Sequence, residues 1–214
     1  MKHFEYVPRK EVNKTKKEII ELINLVQKEV KDYFTFQYQF IGSTKLNCVT
    51  CDYSSNIGYD LDVNIMVNDP DESYSACEIK RILIKAFNKF CHKFNYDYCE
   101  DSTRVFTIKV KDRENSKIIH SCDFAIVNDY EDEDGNWRQE YIHFNKKQKT
   151  YEWQKQPDGF YNLKERAQWI KDNGLWDEFR ELYLYKKNNK EDQNKKSRSL
   201  RAEAVNEIYQ KYCH

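Results

Sequence analysis

The sequence predicts an α+β fold whose C-terminal segment is helical. Helical and alternating apolar patterns interleave up to about residue 150, and beyond that only helical spacing recurs. Aromatic residues make up 15% of the 214 residues and hydrophobic residues 39%. That supplies core volume for one domain of ordinary size with a helical extension.

Residues 1 to 12 are rich in charge and read as an arm. Thr15-Lys-Lys-Glu18 has the form of a capping box, and Ile19, Leu22, Ile23, Val26 and Val30 follow at helical spacing. From Phe34 the period becomes two. Phe34, Phe36, Tyr38 and Phe40 alternate with polar residues, and the strand ends at Gly42-Ser43. Residues 44 to 58 carry turn signals at Ser54-Ser55-Asn56 and Gly58. A second strand runs over residues 59 to 67, stopping at Asn68-Asp69-Pro70. Ser75-Ala-Cys-Glu78 is another capping box, and it opens an amphipathic helix with Ile79, Leu83, Phe87, Phe90 and Phe94 on one stripe.

Residues 104 to 110 and 117 to 127 read as a hairpin around Asp112–Ser116. Asn128–Asn136 reads as an acidic loop, followed by a short strand over Arg138–Phe144. After Pro157 come a helix with Leu163, Ala167 and Ile170, a second with Phe179, Leu182 and Tyr183, and a last one with Leu200, Ala204, Val205 and Ile208. The division expected from this is a core over 1–150, with a helical region over 151–214 packed on it.

Chemistry concentrates in a few places. On Tyr59-Asp60-Leu61-Asp62-Val63 the two carboxylates share one face of a strand, because successive side chains alternate. Adjacent like charges on so apolar a strand are unfavourable unless a cation lies between them. Asp123 is a lone carboxylate on another apolar strand, and His120 falls on the opposite face from it. If the two strands are neighbours, Asp60, Asp62 and Asp123 converge. Hard cations such as Mg²⁺ take oxygen ligands of this kind and keep positions for phosphate oxygens. The Gly42-Ser43 turn offers a close backbone approach and a hydroxyl to a phosphate, and Lys45 and Lys109 could add positive charge.

An apolar-Gly-Ser turn, then Asp-x-Asp on an apolar strand, then a later apolar-Asp-apolar strand resembles the DNA polymerase β-like nucleotidyltransferase superfamily. The matching positions are Gly42, Ser43, Asp60, Asp62 and Asp123, within residues 34 to 127. The resemblance implies a short mixed sheet backed by helices, two Mg²⁺ ions (Mn²⁺ as a substitute) and an NTP donor. The implied reaction transfers an NMP to a hydroxyl of a small molecule, a protein, tRNA or another nucleotide. Sixteen residues separate Ser43 from Asp60, a longer loop than this family usually has. A non-catalytic nucleotide- or RNA-binding module on the same fold is the alternative.

Net charge is zero, with 36 basic and 36 acidic residues, so any argument for nucleic acid must be local. Lys186 to Arg201 holds seven Lys or Arg against two acidic residues and leaves RNA open as a partner, although a solvated linker is the commoner meaning of such a run. Seven cysteines, an odd number, and an N-terminus without an apolar run imply a reducing, cytoplasmic setting with free thiols. Cys48-Val-Thr-Cys51 has knuckle spacing but no second pair to complete a zinc site. No apolar stretch approaches the about 18 residues of a membrane span. Oligomeric state is not legible.

Overall fold

The structure, a computed structural model, describes residues 3–189, 192 and 195–213. The chain divides into two compact units, one formed by Tyr6–Gln156 and the other by Pro157 onward with the N-terminal residues through Glu5. The first unit contains a seven-stranded mixed sheet: β1 (Thr35–Ile41), β2 (Tyr59–Asn68), β3 (Glu100–Asp101), β4 (Phe106–Asp112), β5 (Lys117–Glu131), β6 (Trp137–Asn145) and β7 (Thr150–Lys155). Its strand order is β1-β2-β5-β4-β3, with β6 on the far half of β5 and β7 on β6. The β2/β5 pair is parallel and the other pairs are antiparallel.

Three helical elements belong to this unit: α1 (Arg9–Val30), the single turn α2 (Gly42–Lys45), and α3 (Ala76–Phe90), which a 3₁₀ turn at Cys91–Phe94 extends. Ile19, Leu22, Ile23 and Val26 of α1 and Ile79, Leu83 and Phe87 of α3 form one core with Leu61, Val63, Cys122, Phe124, Phe106 and Ile108. At its centre the Phe87 ring lies 4.6 Å from Phe124 and 5.1 Å from Phe106. The alternation in the strands therefore sends one face to the helices and leaves the acidic face opposite. Ser75 and Glu78 form the capping box in full: the Ser75 side chain accepts from Glu78 N, and Glu78 accepts from Ser75 N at 2.9 Å. These bonds hold the Glu78 carboxyl below its ordinary value.

Several boundaries differ from the sequence reading. The first helix begins at Arg9, behind Pro8, so the last four residues of the supposed arm are helix and Thr15 lies buried within it, its hydroxyl 2.8 Å from Tyr59 Oη. Pro at a helix start costs nothing, since its missing N–H would have no intrahelical partner there. The acidic loop is shorter than expected, because β5 continues to Glu131 and pairs with β6. A strand at Thr150–Lys155 went unread and carries the first unit to Gln156; only Tyr151 and Trp153 mark its inward side.

The second unit contains α4 (Asp158–Asp172), α5 (Trp176–Asn188) and α6 (Ser197–Tyr212), packed through Ile170, Phe179, Tyr183, Leu200, Ala204, Val205 and Ile208. Gly174, at φ 71°, lets the chain turn out of α4. The tryptophans here serve packing, with Trp169 5.2 Å from Tyr209 and Trp176 4.5 Å from Phe179. Three lysines of the basic run are engaged within this unit. Lys186 pairs with Glu207, Lys195 with Glu203, and buried Lys187 lies over the Phe4 ring. Lys190 and Glu191 of that run lie outside the described residues.

Candidate functional site

The acidic face of the sheet is organised by register. Asp62 on β2 is directly opposite Asp123 on β5, and Asp60 is opposite Ser121. Continuing outward, Asp123 is opposite Thr107 of β4, and Thr107 opposite Glu100 of β3. On the other side Asp62 is opposite Ile41, the last residue of β1. One row thus reads Ile41–Asp62–Asp123–Thr107–Glu100 across five strands. A second row reads Asp60–Ser121–Lys109. Neighbouring strands lie about 4.8 Å apart, so all these side chains rise from one patch.

Asp60 is exposed, and Asp62 and Asp123 are half-buried. Ser121 donates to Asp60 Oδ1, and Thr107 donates to Asp123 Oδ1 at 2.6 Å. Burial raises the pKa of Asp123 above the ordinary carboxylate value, and the Asp60 charge adds to the rise. The Thr107 hydrogen bond and the Lys109 charge oppose it. On the opposite face, burial lifts the Cys122 thiol well above its usual value. His120 is there too, 3.0 Å from Tyr96 Oη and stacked on Tyr59 at 5.5 Å, so it belongs to the core.

The long loop does not carry the Gly-Ser turn away from the carboxylates. Gly42 leaves β1 at φ 58°, and α2 starts there. Buried Thr44 accepts from the backbone N–H of Asp62 at 3.3 Å, which pins the turn to the acidic strand. The additional residues lie beyond it, in a segment with a turn around Asp52, whose Oδ1 accepts from Ser54 N and Oγ. Lys45 is exposed on the last position of α2. Lys109 rises from the same face as Asp123, and its ammonium is held by Glu100.

Among the described residues, no three His, Cys, Asp or Glu side chains are drawn closely enough together to hold one metal ion. The donor chemistry nevertheless fits a hard cation: three carboxylates share one patch, and burial and a neighbouring carboxylate disfavour the charge on Asp123. In the present rotamers, the Ser121 and Thr107 hydroxyls take up oxygens that would turn to such an ion. The seven cysteines form no disulfide, and Cys48 and Cys51 are buried.

Thr44, Thr107, Ser121 and Glu100 did not emerge from the sequence. Ser121, two residues before Asp123, lies on its face by alternation alone and could have been found. Thr107 and Glu100 follow only from the β5/β4 and β4/β3 registers, and Thr44 only from the fold of the turn. No helix among the described residues is long and apolar enough to cross a membrane.

No protein-family model and no curated protein matches the sequence. Solved structures do. A c-di-GMP synthase, CdnE, from Capnocytophaga granulosa is 20% identical with a TM-score of 0.58 over 98% of this chain and 64% of its own. Vibrio cholerae DncV in its GTP-bound form is 16% identical, TM-score 0.57, over 98% and 54%. The CD-NTase CdnG of Bradyrhizobium diazoefficiens, in complex with GTP, is 13% identical, TM-score 0.53, over 75% and 42%. The chain thus spans about two-fifths to two-thirds of the length of these neighbours. They are members of the superfamily that the Gly-Ser and Asp-x-Asp pattern resembles. Their agreement with the mixed sheet and its backing helices shows that the chain has the DNA polymerase β-like nucleotidyltransferase fold.

Proposed function

We propose that the chain is a nucleotidyltransferase that moves an NMP from an NTP to a hydroxyl acceptor and releases pyrophosphate. The observation that carries the reading is the register that sets Asp62 opposite Asp123 with Asp60 on the same face, beside a Gly-Ser turn pinned to Asp62 through Thr44. Asp60, Asp62 and Asp123 would hold Mg²⁺. Bound there, the metal would neutralise phosphate charge and lower the pKa of the attacking hydroxyl.

The chain's own residues account for the rest. The Gly42-Ser43 backbone and the Ser43 hydroxyl hold the triphosphate, and Lys109 and Lys45 supply charge to it. The acceptor oxygen attacks the α-phosphorus as the bond to the bridging oxygen of the β-phosphate breaks, and pyrophosphate leaves. The hydroxyl proton passes to Asp123, the carboxylate directly opposite Asp62 on the neighbouring strand. For the acceptor we favour the hydroxyl of a second nucleotide, because neighbours of this fold include a c-di-GMP synthase and a cyclic AMP-GMP synthase.

The test is incubation with α-labelled ATP, GTP, CTP and UTP and Mg²⁺ or Mn²⁺, following label transfer and pyrophosphate release. Asp60→Ala/Asp62→Ala should abolish both. Turnover that survives the double substitution would remove these carboxylates from the reaction, and nucleotide binding without turnover in the parent would favour a non-catalytic module.

A further inference from the structure

The edge of the sheet beside the acidic patch carries a chain of alternating charges. Lys109 is held by Glu100. Glu100 lies 3.7 Å from Lys111, Lys111 lies 2.9 Å from Asp97, and Asp97 lies 3.0 Å from Arg113. Lys109 is the member that shares a row with Ser121 and Asp60. It is also the one close enough to Asp123 to lower that group's pKa. Glu100 is not a wandering surface residue. The next residue, Asp101, pairs with buried Lys80 of α3 at 2.7 Å and accepts from Tyr151 Oη at 2.6 Å, and Lys80 also donates to the Ser102 carbonyl at 3.0 Å. These bonds fix the two-residue strand β3, and with it the position of Glu100.

We propose that Glu100 is a positioning residue that holds Lys109 in the absence of nucleotide and yields it to the triphosphate. The proposal rests on the nucleotidyltransferase reading above. Lys109 can leave Glu100 at little cost, because half of Glu100's side-chain surface is exposed and such pairs are weak. Glu100 is not stranded by the exchange, since Lys111 is already its second partner. The triphosphate gains a charge-assisted bond from Lys109, and Glu100 and Lys111 close on each other. Glu100 thereby tunes nucleotide affinity from one strand beyond the acidic row.

The experiment measures GTP and ATP affinity with Mg²⁺ by calorimetry in the parent, Glu100→Gln, Lys109→Met, Lys111→Met and the doubles, with thermal melts confirming folding. Glu100→Gln should tighten binding by about two- to five-fold, the range expected for losing an exposed competing pair. Lys109→Met should weaken binding, and Glu100→Gln should then have no effect in the Lys109→Met background. Lys111→Met should weaken binding in the parent but not with Glu100→Gln, because it matters only by leaving Glu100 to Lys109. Equal effects of Glu100→Gln with and without Lys109 would overturn the proposal and leave a general field effect. So would binding that Lys109→Met leaves unchanged. A parent that binds neither nucleotide would overturn the nucleotide-site reading itself, and the proposal with it.

Discussion

Asp62 and Asp123 stand opposite each other in a parallel strand pair, 61 residues apart in sequence and in neighbouring strands of one sheet. Their juxtaposition depends on the crossover from β2 through α3, β3 and β4 to β5. It brings a half-buried carboxylate with a raised pKa next to a second one at the end of the pinned Gly-Ser turn.

Asp123→Asn should separate chemistry from folding. The substitution removes a charge that burial disfavours, so stability at pH 7 should hold or rise slightly. Because the folded pKa of Asp123 is raised, its protonation favours the folded state at low pH. That contribution is fully present below about 3.9 and is lost as pH rises through the folded value. Pyrophosphate release should fall by about 10² to 10⁴. Melting curves across pH, together with a pyrophosphate assay, check both halves.

His120 predicts an acid limit. Its pKa is pulled down from 6.5 to about 4, chiefly by burial and secondarily by Lys14. The unfolded chain therefore takes up the proton first. Stability is complete above about 6.5 and is lost as pH falls toward 4, by about 3 kcal/mol at most. His120→Gln should flatten that part of the profile, as read by urea denaturation at pH 7, 5.5 and 4.5.

Lys80 is the most buried ion in the first unit, and its ammonium also lies 5.4 Å from the Tyr151 ring. Lys80→Met leaves Asp101 without its cation and should cost about 2–4 kcal/mol. Adding Asp101→Asn should recover part of that loss, so the two effects should not be additive in a denaturant series.

Gly58 precedes β2 at φ 69°, and a Cβ built there would lie 2.4 Å from the Ile119 carbonyl oxygen and 2.5 Å from that of Ile118. Both contacts are backbone and cannot swing away. Gly58→Ala should cost about 2–4 kcal/mol, and it should depress activity by shifting the Asp60 end of β2. Melting temperature and pyrophosphate release should fall together.

The acidic strand, the Ser75–Glu78 cap and the α3 stripe were legible because alternation, capping and helical period are local rules that the structure keeps. Asp60, Asp62 and Asp123 could be placed on faces for the same reason. The start of α1 was misread because a capping pattern at Thr15 outweighed Pro8, although burial puts Thr15 against Tyr59 inside the helix. Strand β7 was missed because its six residues are mostly polar and it gains its partner only by pairing with β6.

The sequence alone determined which residues are apolar, which strand faces carry carboxylates and where helices can begin, since side-chain period and capping act within a few residues. Only the tertiary structure decided which carboxylates meet, that Thr44 ties the Gly-Ser turn to Asp62, and that Thr107, Ser121 and Glu100 join the patch. Those relations depend on strand order and register, which are set by burying both α1 and α3 on one face of the sheet and so by contacts distant in sequence.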